Sequence, residues 1–250
     1  MPGDSTRGAG PVDVPGKAAA MARFARLEVL IAILRQGFVP LFHHADAATA
    51  TRVLGAVAAG GADVVEFTHR GDRAHEVFAA LDDERRARLP DTVLGVGSVT
   101  DAGTAALYLA LGADFVVSPT LSEEVARVCN RRKVAYLPGC ATPTEIARAE
   151  ELGCEIVKLF PGDAAGGPDL VRAVRGPAPW TRLMPTGGVA PTEASLSAWF
   201  DAGAACVGLG SGLVAADLVR DGRFDELTAR VRETADLLAS VRPPLDEAWA

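Results

Sequence analysis

Gly61-Ala62-Asp63-Val64-Val65-Glu66, Gly112-Ala113-Asp114-Phe115-Val116-Val117, Gly153-Cys154-Glu155-Ile156-Val157-Lys158 and Gly203-Ala204-Ala205-Cys206-Val207-Gly208 repeat one pattern. A glycine, a small residue and a short apolar run follow a helical stretch each time, so the glycine reads as a helix stop and the run as a β-strand. Four further runs alternate with these copies: Phe38 to Phe42, Thr92 to Val96, Val134 to Leu137 and Arg182 to Pro185. Helix starts are also legible. Thr142-Pro143-Thr144-Glu145 supplies a cap, a first-turn proline and a capping-box glutamate, and Ser122 before Glu123-Glu124 and Pro191-Thr192-Glu193 are similar. Strands alternating with helices predict a parallel α/β sheet.

Eight such units in 250 residues predict closure into a (β/α)8 TIM barrel, a single domain with an extra N-terminal helix. Met21, Phe24, Leu27, Leu30, Ile31 and Leu34 would share one face of that helix. The competing architecture, an open doubly wound sheet, wants a glycine-rich dinucleotide turn. Gly95-Val96-Gly97 has Thr100, and Gly208-Leu209-Gly210 has Leu213, where the third glycine should stand. The expected boundaries are a flexible extension over 1–17, the barrel over 18–242 and a tail over 243–250.

Hydrophobic residues make up 49% and charged residues 23%, ordinary for a folded chain and wrong for a disordered one. Net charge is -7, which argues against nucleic acid as a partner. The run Val29 to Leu34 is far too short for a membrane span, and Met1 to Lys17 lacks the apolar stretch of a signal peptide. The expectation is a cytoplasmic protein without a membrane partner. Cys129, Cys140, Cys154 and Cys206 show no C-x-x-C spacing and read as small core residues in a reducing compartment. Only Lys17, Lys133 and Lys158 are lysines in an arginine-rich chain. Lys17 lies in the extension, and Lys133 follows Arg131-Arg132 as a solvated helix end.

Glu66, Val117, Lys158 and Gly208 hold the same place in the repeat. In a barrel, alternate strands supply one layer, so these four should point inward at one height, with Val64, Thr68, Ile156 and Phe160 also inward by the period of two. Glu66 and Lys158 would lie at the C-terminal strand ends, where barrels carry their sites. Desolvation favours the neutral amine of a buried lysine, a nucleophile toward ketones, and a nearby carboxylate can shuttle protons. Arginine stays protonated and cannot replace it. A structural Lys158–Glu66 ion pair is the competing reading. Thr186-Gly187-Gly188 and Gly208-Leu209-Gly210-Ser211-Gly212 follow the seventh and eighth strands, where barrels bind phosphate on backbone amides; each could equally be a tight turn.

Several segments, in order over roughly Phe38 to Val214, resemble the 2-keto-3-deoxy-6-phosphogluconate (KDPG) / 4-hydroxy-2-oxoglutarate (KHG) aldolases, class I pyruvate-lyases. They are Val65-Glu66-Phe67-Thr68-His69-Arg70, Gly95-Val96-Gly97-Ser98-Val99, Val117-Ser118-Pro119 and Tyr136-Leu137-Pro138-Gly139. Thr142-Pro143-Thr144-Glu145, Lys158-Leu159-Phe160-Pro161-Gly162, Pro185-Thr186-Gly187-Gly188-Val189 and Gly208-Leu209-Gly210-Ser211 complete the set. The resemblance implies reversible cleavage of a 4-hydroxy-2-oxo acid to pyruvate plus glyceraldehyde 3-phosphate or glyoxylate, in Entner–Doudoroff-type carbohydrate metabolism. It implies a Schiff base on Lys158, Glu66 as acid/base, and Arg70 with Ser98 on the substrate carboxylate. Pro119 and Phe160 would line the pocket and Thr186 would contact polar groups. Gly187, Gly188, Gly210 and Ser211 would take a distal phosphate. It also implies a homotrimer, a small keto-acid substrate as partner, and no cofactor or metal. A non-Schiff-base phosphate-binding isomerase or epimerase, and a non-catalytic sugar-phosphate-binding barrel, are the alternatives.

This chain departs from the family pattern in places. Ser98 stands for the usual threonine, His43 falls where many members carry arginine, and His69 replaces a usual leucine. His43 either contacts substrate or packs at a strand end, and His69 should face the helices. These histidines, with Asp72-Arg73-Ala74-His75-Glu76, mark a sub-branch whose natural substrate is expected to differ.

Overall fold

A computed structural model describes residues 22–242. Lys17, Met21 and the expected segments 1–17 and 243–250 lie outside them. The strands are β1 (Phe38–Phe42), β2 (Val64–Thr68), β3 (Val93–Gly97), β4 (Phe115–Val117), β5 (Ala135–Leu137), β6 (Gly139–Cys140), β7 (Val157–Leu159), β8 (Leu183–Pro185) and β9 (Val207–Leu209). The helices are α1 (Arg26–Gln36), α2 (Ala47–Ala59), α3 (Ala74–Arg88), α4 (Ala102–Ala110), α5 (Glu123–Arg132), α6 (Pro143–Glu151), α7 (Gly167–Arg175), α8 (Glu193–Asp201), α9 (Ala216–Arg220) and α10 (Phe224–Val241). None is long and apolar enough to cross a membrane.

All pairings in the sheets are parallel, in the orders β5-β4-β3-β2-β1-β9 and β6-β7-β8. The expected fifth strand, Val134 to Leu137, is seen as β5 and ends before Pro138, which has no amide hydrogen to donate to a ladder; a further short strand, β6, follows the proline and pairs with β7. An isolated parallel bridge, Thr186 to Gly208, connects the end of β8 to β9. The architecture is therefore a curled parallel α/β sheet in two ladders rather than one continuous eight-stranded ladder.

The period of two sorts the side chains as the repeat predicts. Val64, Val117 and Ile156 join an inner cluster with Val39, Phe115 and Met184. Val65, Phe67, Val116 and Val157 belong to the outer cluster between sheet and helices. Helix α1 packs Val29, Leu30, Ile33 and Leu34 into the inner cluster. Its expected apolar face is corrected here, because Leu27 is 70% exposed and Ile31 42% exposed. The helix meets the strand starts through the stripe centred on Val29 and Ile33, one turn apart, which leaves Leu27 and Ile31 on the other side. The side chain of Gln36 then donates to the carbonyls of Phe38 and Val64 and accepts from the amide of Val64, tying the helix end to β1 and β2.

The predicted helix starts carry their caps. Thr142 and Glu145 form a capping box, Ser122 accepts from the amide of Val125, and Thr192 accepts from that of Ser195. All four cysteines are buried and free. Lys133 is exposed and caps α5 in the left-handed region at φ 55°.

Candidate active site

Glu66 is the third residue of β2 and is 0% exposed. Neither carboxylate oxygen has a hydrogen-bond partner among the described residues. Burial pushes its carboxyl above the usual range, and the charges of Lys158 and Arg70 pull it partly back. The neighbouring strand supplies its space. Glu66 pairs with Gly95 and Thr68 with Gly97, so both glycines turn their missing side chains inward. A Cβ on Gly97 would overlap Glu66 Oε1 and stand 2.5 Å from Cδ. A Cβ on Gly95 would run into the ring of Phe115.

Lys158 is the middle residue of β7 and is 6% exposed. It pairs with Gly139 on β6 and Met184 on β8. Its Nζ sits over the Phe160 ring, 4.9 Å from the centroid. No ion pair within 4.0 Å joins it to Glu66 or to any other carboxylate of the described residues. That disfavours the structural ion-pair reading, since buried charges kept for stability are paired.

Arg70, exposed just beyond β2, pairs with no carboxylate of the described residues either. It lines a cleft of about 740 Å³ with Leu41, His43, Thr68, Gly210 and Ser211. The cleft opens above β1, β2 and β9; Glu66 and Lys158 lie deeper, outside its lining. Thr68, inward as expected, donates its hydroxyl to the Phe42 carbonyl at 2.8 Å. His43 Nδ1 lies 3.2 Å from the Thr68 carbonyl, and burial lowers its pKa against the opposing pull of that hydrogen bond. The ring is thereby oriented at the cleft. His69 turns away to the Tyr108 hydroxyl on α4, at 2.8 Å, as alternation predicts. Ser98 follows β3 directly at φ 62°, a left-handed backbone that costs a non-glycine residue about 1–2 kcal/mol.

The two glycine turns are placed together by the bridge between Thr186 and Gly208. A Cβ on Gly208 would overlap Thr186 Oγ1, so this glycine makes room for a buried threonine. Gly187 and Gly188 both take positive φ, 87° and 82°. Their amides and that of Ser211 have no acceptor among the described residues. Gly210 packs against Leu41, and Pro119 sets its carbonyl where a Cβ on Gly139 would stand. No cluster of metal-ligating side chains occurs among the described residues.

A family model described as KDPG and KHG aldolase matches residues 30–230. This chain belongs to that family. A 2-dehydro-3-deoxy-phosphogluconate aldolase of Pseudoalteromonas atlantica is 33% identical over 195 residues, covering 78% of this chain and 88% of the relative. Among solved structures, the KDPG aldolase of Legionella pneumophila, with pyruvate captured at low pH as a covalent carbinolamine intermediate, is 25% identical with a TM-score of 0.74. The match covers 85% of this chain and 97% of that one. The KDPG aldolase of Zymomonas mobilis with 3-phosphoglycerate is 27% identical with a TM-score of 0.73, over 85% of this chain and 97% of that one. Within this family fold, Gly97 and Gly208 carry no side chain to flag them, and only their neighbours Glu66 and Thr186 reveal what they are for.

Proposed function

We propose that the chain is a class I aldolase. It reversibly cleaves a 4-hydroxy-2-oxo acid of the KDPG or KHG type to pyruvate and an aldehyde, glyceraldehyde 3-phosphate or glyoxylate. Membership of the family makes it a carbon–carbon lyase. The observation that carries the reading is a buried lysine amine with no ion pair and a buried carboxyl with no hydrogen-bond partner, both facing one interior. The Lys158 amine attacks the C2 ketone, and the carbinolamine loses water to an iminium. As the C3–C4 bond breaks, its electrons flow into the iminium to give an enamine, and the C4 hydroxyl surrenders its proton to Glu66. The enamine takes a proton at C3, and water releases pyruvate. Burial raises the pKa of this carboxyl, so it holds a proton more readily than an ordinary glutamate, which suits Glu66 to this shuttle.

Arg70 and Ser98 hold the carboxylate, the former through a planar guanidinium without a competing partner. Pro119 and Phe160 line the pocket, and Thr186 contacts the polar middle of the substrate. The open amides of Gly187, Gly188 and Ser211, beside Gly210, receive a distal phosphate. The two ladders are read as one closed eight-stranded barrel, with Pro138 interrupting a single strand and the Thr186–Gly208 bridge closing the far side. We place the barrel domain at residues 18–242, between an extension over 1–17 and a tail over 243–250. It acts in the cytoplasm as a homotrimer, without a cofactor; a monomeric mass by light scattering would exclude the trimer.

The deciding experiment is incubation with pyruvate and borohydride followed by mass measurement. A reduced pyruvate adduct on Lys158, absent from Lys158→Ala, is expected. An unmodified wild-type chain at saturating pyruvate would sink the proposal.

A further inference from the structure

Two glycines on one strand make opposite uses of the space they leave. Gly95 and Gly97 share the inward face of β3. The space at Gly95 is filled from β4 by the Phe115 ring, an apolar contact within the inner core. The space at Gly97 is filled from β2 by the Glu66 carboxylate, whose Cδ and Cγ lie 2.5 Å and 3.0 Å from where a Cβ would stand. In register, Glu66 sits opposite Gly95, yet its carboxylate has moved up the strand to lie against Gly97. That direction is toward the C-terminal strand ends, and the charges of Lys158 and Arg70 act on it. No hydrogen bond holds it there, so the bare backbone of β3 is what admits it to that place.

We infer that Gly97 is a positioning residue: the absence of a side chain there sets the height at which the Glu66 carboxylate meets the reacting carbons. The inference rests on Glu66 being the acid/base of the proposed reaction. The backbone at Gly97 is outside the left-handed region, so alanine is compatible with it, and only the occupied space opposes the substitution. A methyl group in that space forces the carboxylate to rotate out of line, and a misplaced acid/base forfeits its share of the rate while leaving binding groups alone.

The test is a cycle of variants. Gly97→Ala is expected to lower kcat by about 10²- to 10⁴-fold, the usual share of an acid/base. KM for the keto acid should stay within about threefold, because a pure loss of transition-state stabilisation leaves ground-state binding unchanged. The pyruvate adduct on Lys158 should still be trapped, only more slowly. Glu66→Asp alone retracts the carboxyl and loses turnover. In the Gly97→Ala background the shorter side chain loses the closest overlap, the one with Oε1, so G97A/E66D should exceed the product of the two single losses by about tenfold or more, the sign of coupling between neighbours. A double variant equal to that product, or a Gly97→Ala enzyme with unchanged kcat, overturns the inference. If Gly97→Ala does not fold, G97A/E66A becomes the readout. Recovery of cooperative unfolding supports a shared space, and failure to recover overturns it. Absence of any pyruvate adduct on the wild-type chain would instead bring down the aldolase reading, while the unfolding of these variants would still report whether Gly97 and Glu66 compete for one space.

Discussion

Arg85 and Asp114 are as deeply buried as Glu66, yet every charged group in their cluster is satisfied. Arg85 gives its Nε to Asp82 at 2.7 Å, its Nη2 to the Gly112 carbonyl at 2.7 Å, and its Nη1 to the Thr92 carbonyl and to Asp114. Asp114 also accepts the amides of Leu94 at 3.0 Å and Arg23 at 2.8 Å. The cluster binds α3, the starts of β3 and β4, and the segment ahead of α1. Glu66, midway along β2, has neither oxygen bonded. Burial raises the pKa of both carboxyls, but Asp114 is pulled back by a bonded guanidinium and backbone amides, and Glu66 only by charges that do not bond it. A buried charge meant to hold the fold is saturated by the protein. One left unsaturated awaits a partner from outside, which is why perturbed, unpaired groups gather at sites.

The sharpest way to break this contrast is to neutralise each carboxyl in turn. Glu66→Gln should keep the pyruvate adduct on Lys158 but lose about 10²- to 10⁴-fold in turnover, measured with the keto acid at saturation. Normal turnover would remove Glu66 from the chemistry. Asp114→Ala should do the reverse. It should cost about 3–5 kcal/mol of stability, because an arginine is left buried with part of its pairing gone, and leave turnover per folded molecule unchanged. Denaturant unfolding beside active-site titration checks both halves.

A smaller effect separates wild type from Glu66→Gln as pH changes. A carboxyl raised in the fold binds more protons there than in the unfolded chain, so its contribution is fully present at acid pH and lost as pH rises. The loss begins near the usual value of 4.5 and proceeds toward the raised one. The glutamine variant carries no such proton. Its advantage in Tm over wild type should therefore widen from acid toward neutral pH, and a constant difference across that range would contradict the burial of an unpartnered carboxyl.

Some of this was legible before any coordinates. Alternation along each strand placed Val64, Val117 and Ile156 in the inner cluster and turned His69 toward α4. The caps at Ser122, Thr142 and Thr192 stand where the local letters put them. Lys158, the lysine in a strand of an arginine-rich chain, was singled out by its type and its place in the repeat. Other features were not legible. Leu27 and Ile31 fit a helical stripe as well as Val29 and Ile33, and only the strand ends beneath α1 choose between them. The strand-like run ends at Leu137, and nothing in it announced the short strand β6 beyond Pro138, which forms because β7 lies alongside to pair with it.

The repeat itself marks the boundary between the two kinds of knowledge. Asp63 and Asp114 occupy the same position in Gly61-Ala62-Asp63 and Gly112-Ala113-Asp114. One is exposed and the other fully buried against Arg85, which lies 29 residues earlier in the chain. The amino-acid sequence by itself determined what depends on near neighbours: strand and helix periods, caps, turns, which residues face inward, and which lysine to watch. Tertiary structure alone decided which distant side chain covers each position. It sent an arginine to Asp114, sent none to Asp63, and lent Glu66 the empty space at Gly97. Burial and pairing are properties of what packs against a residue, and no local pattern carries the identity of a neighbour from another strand.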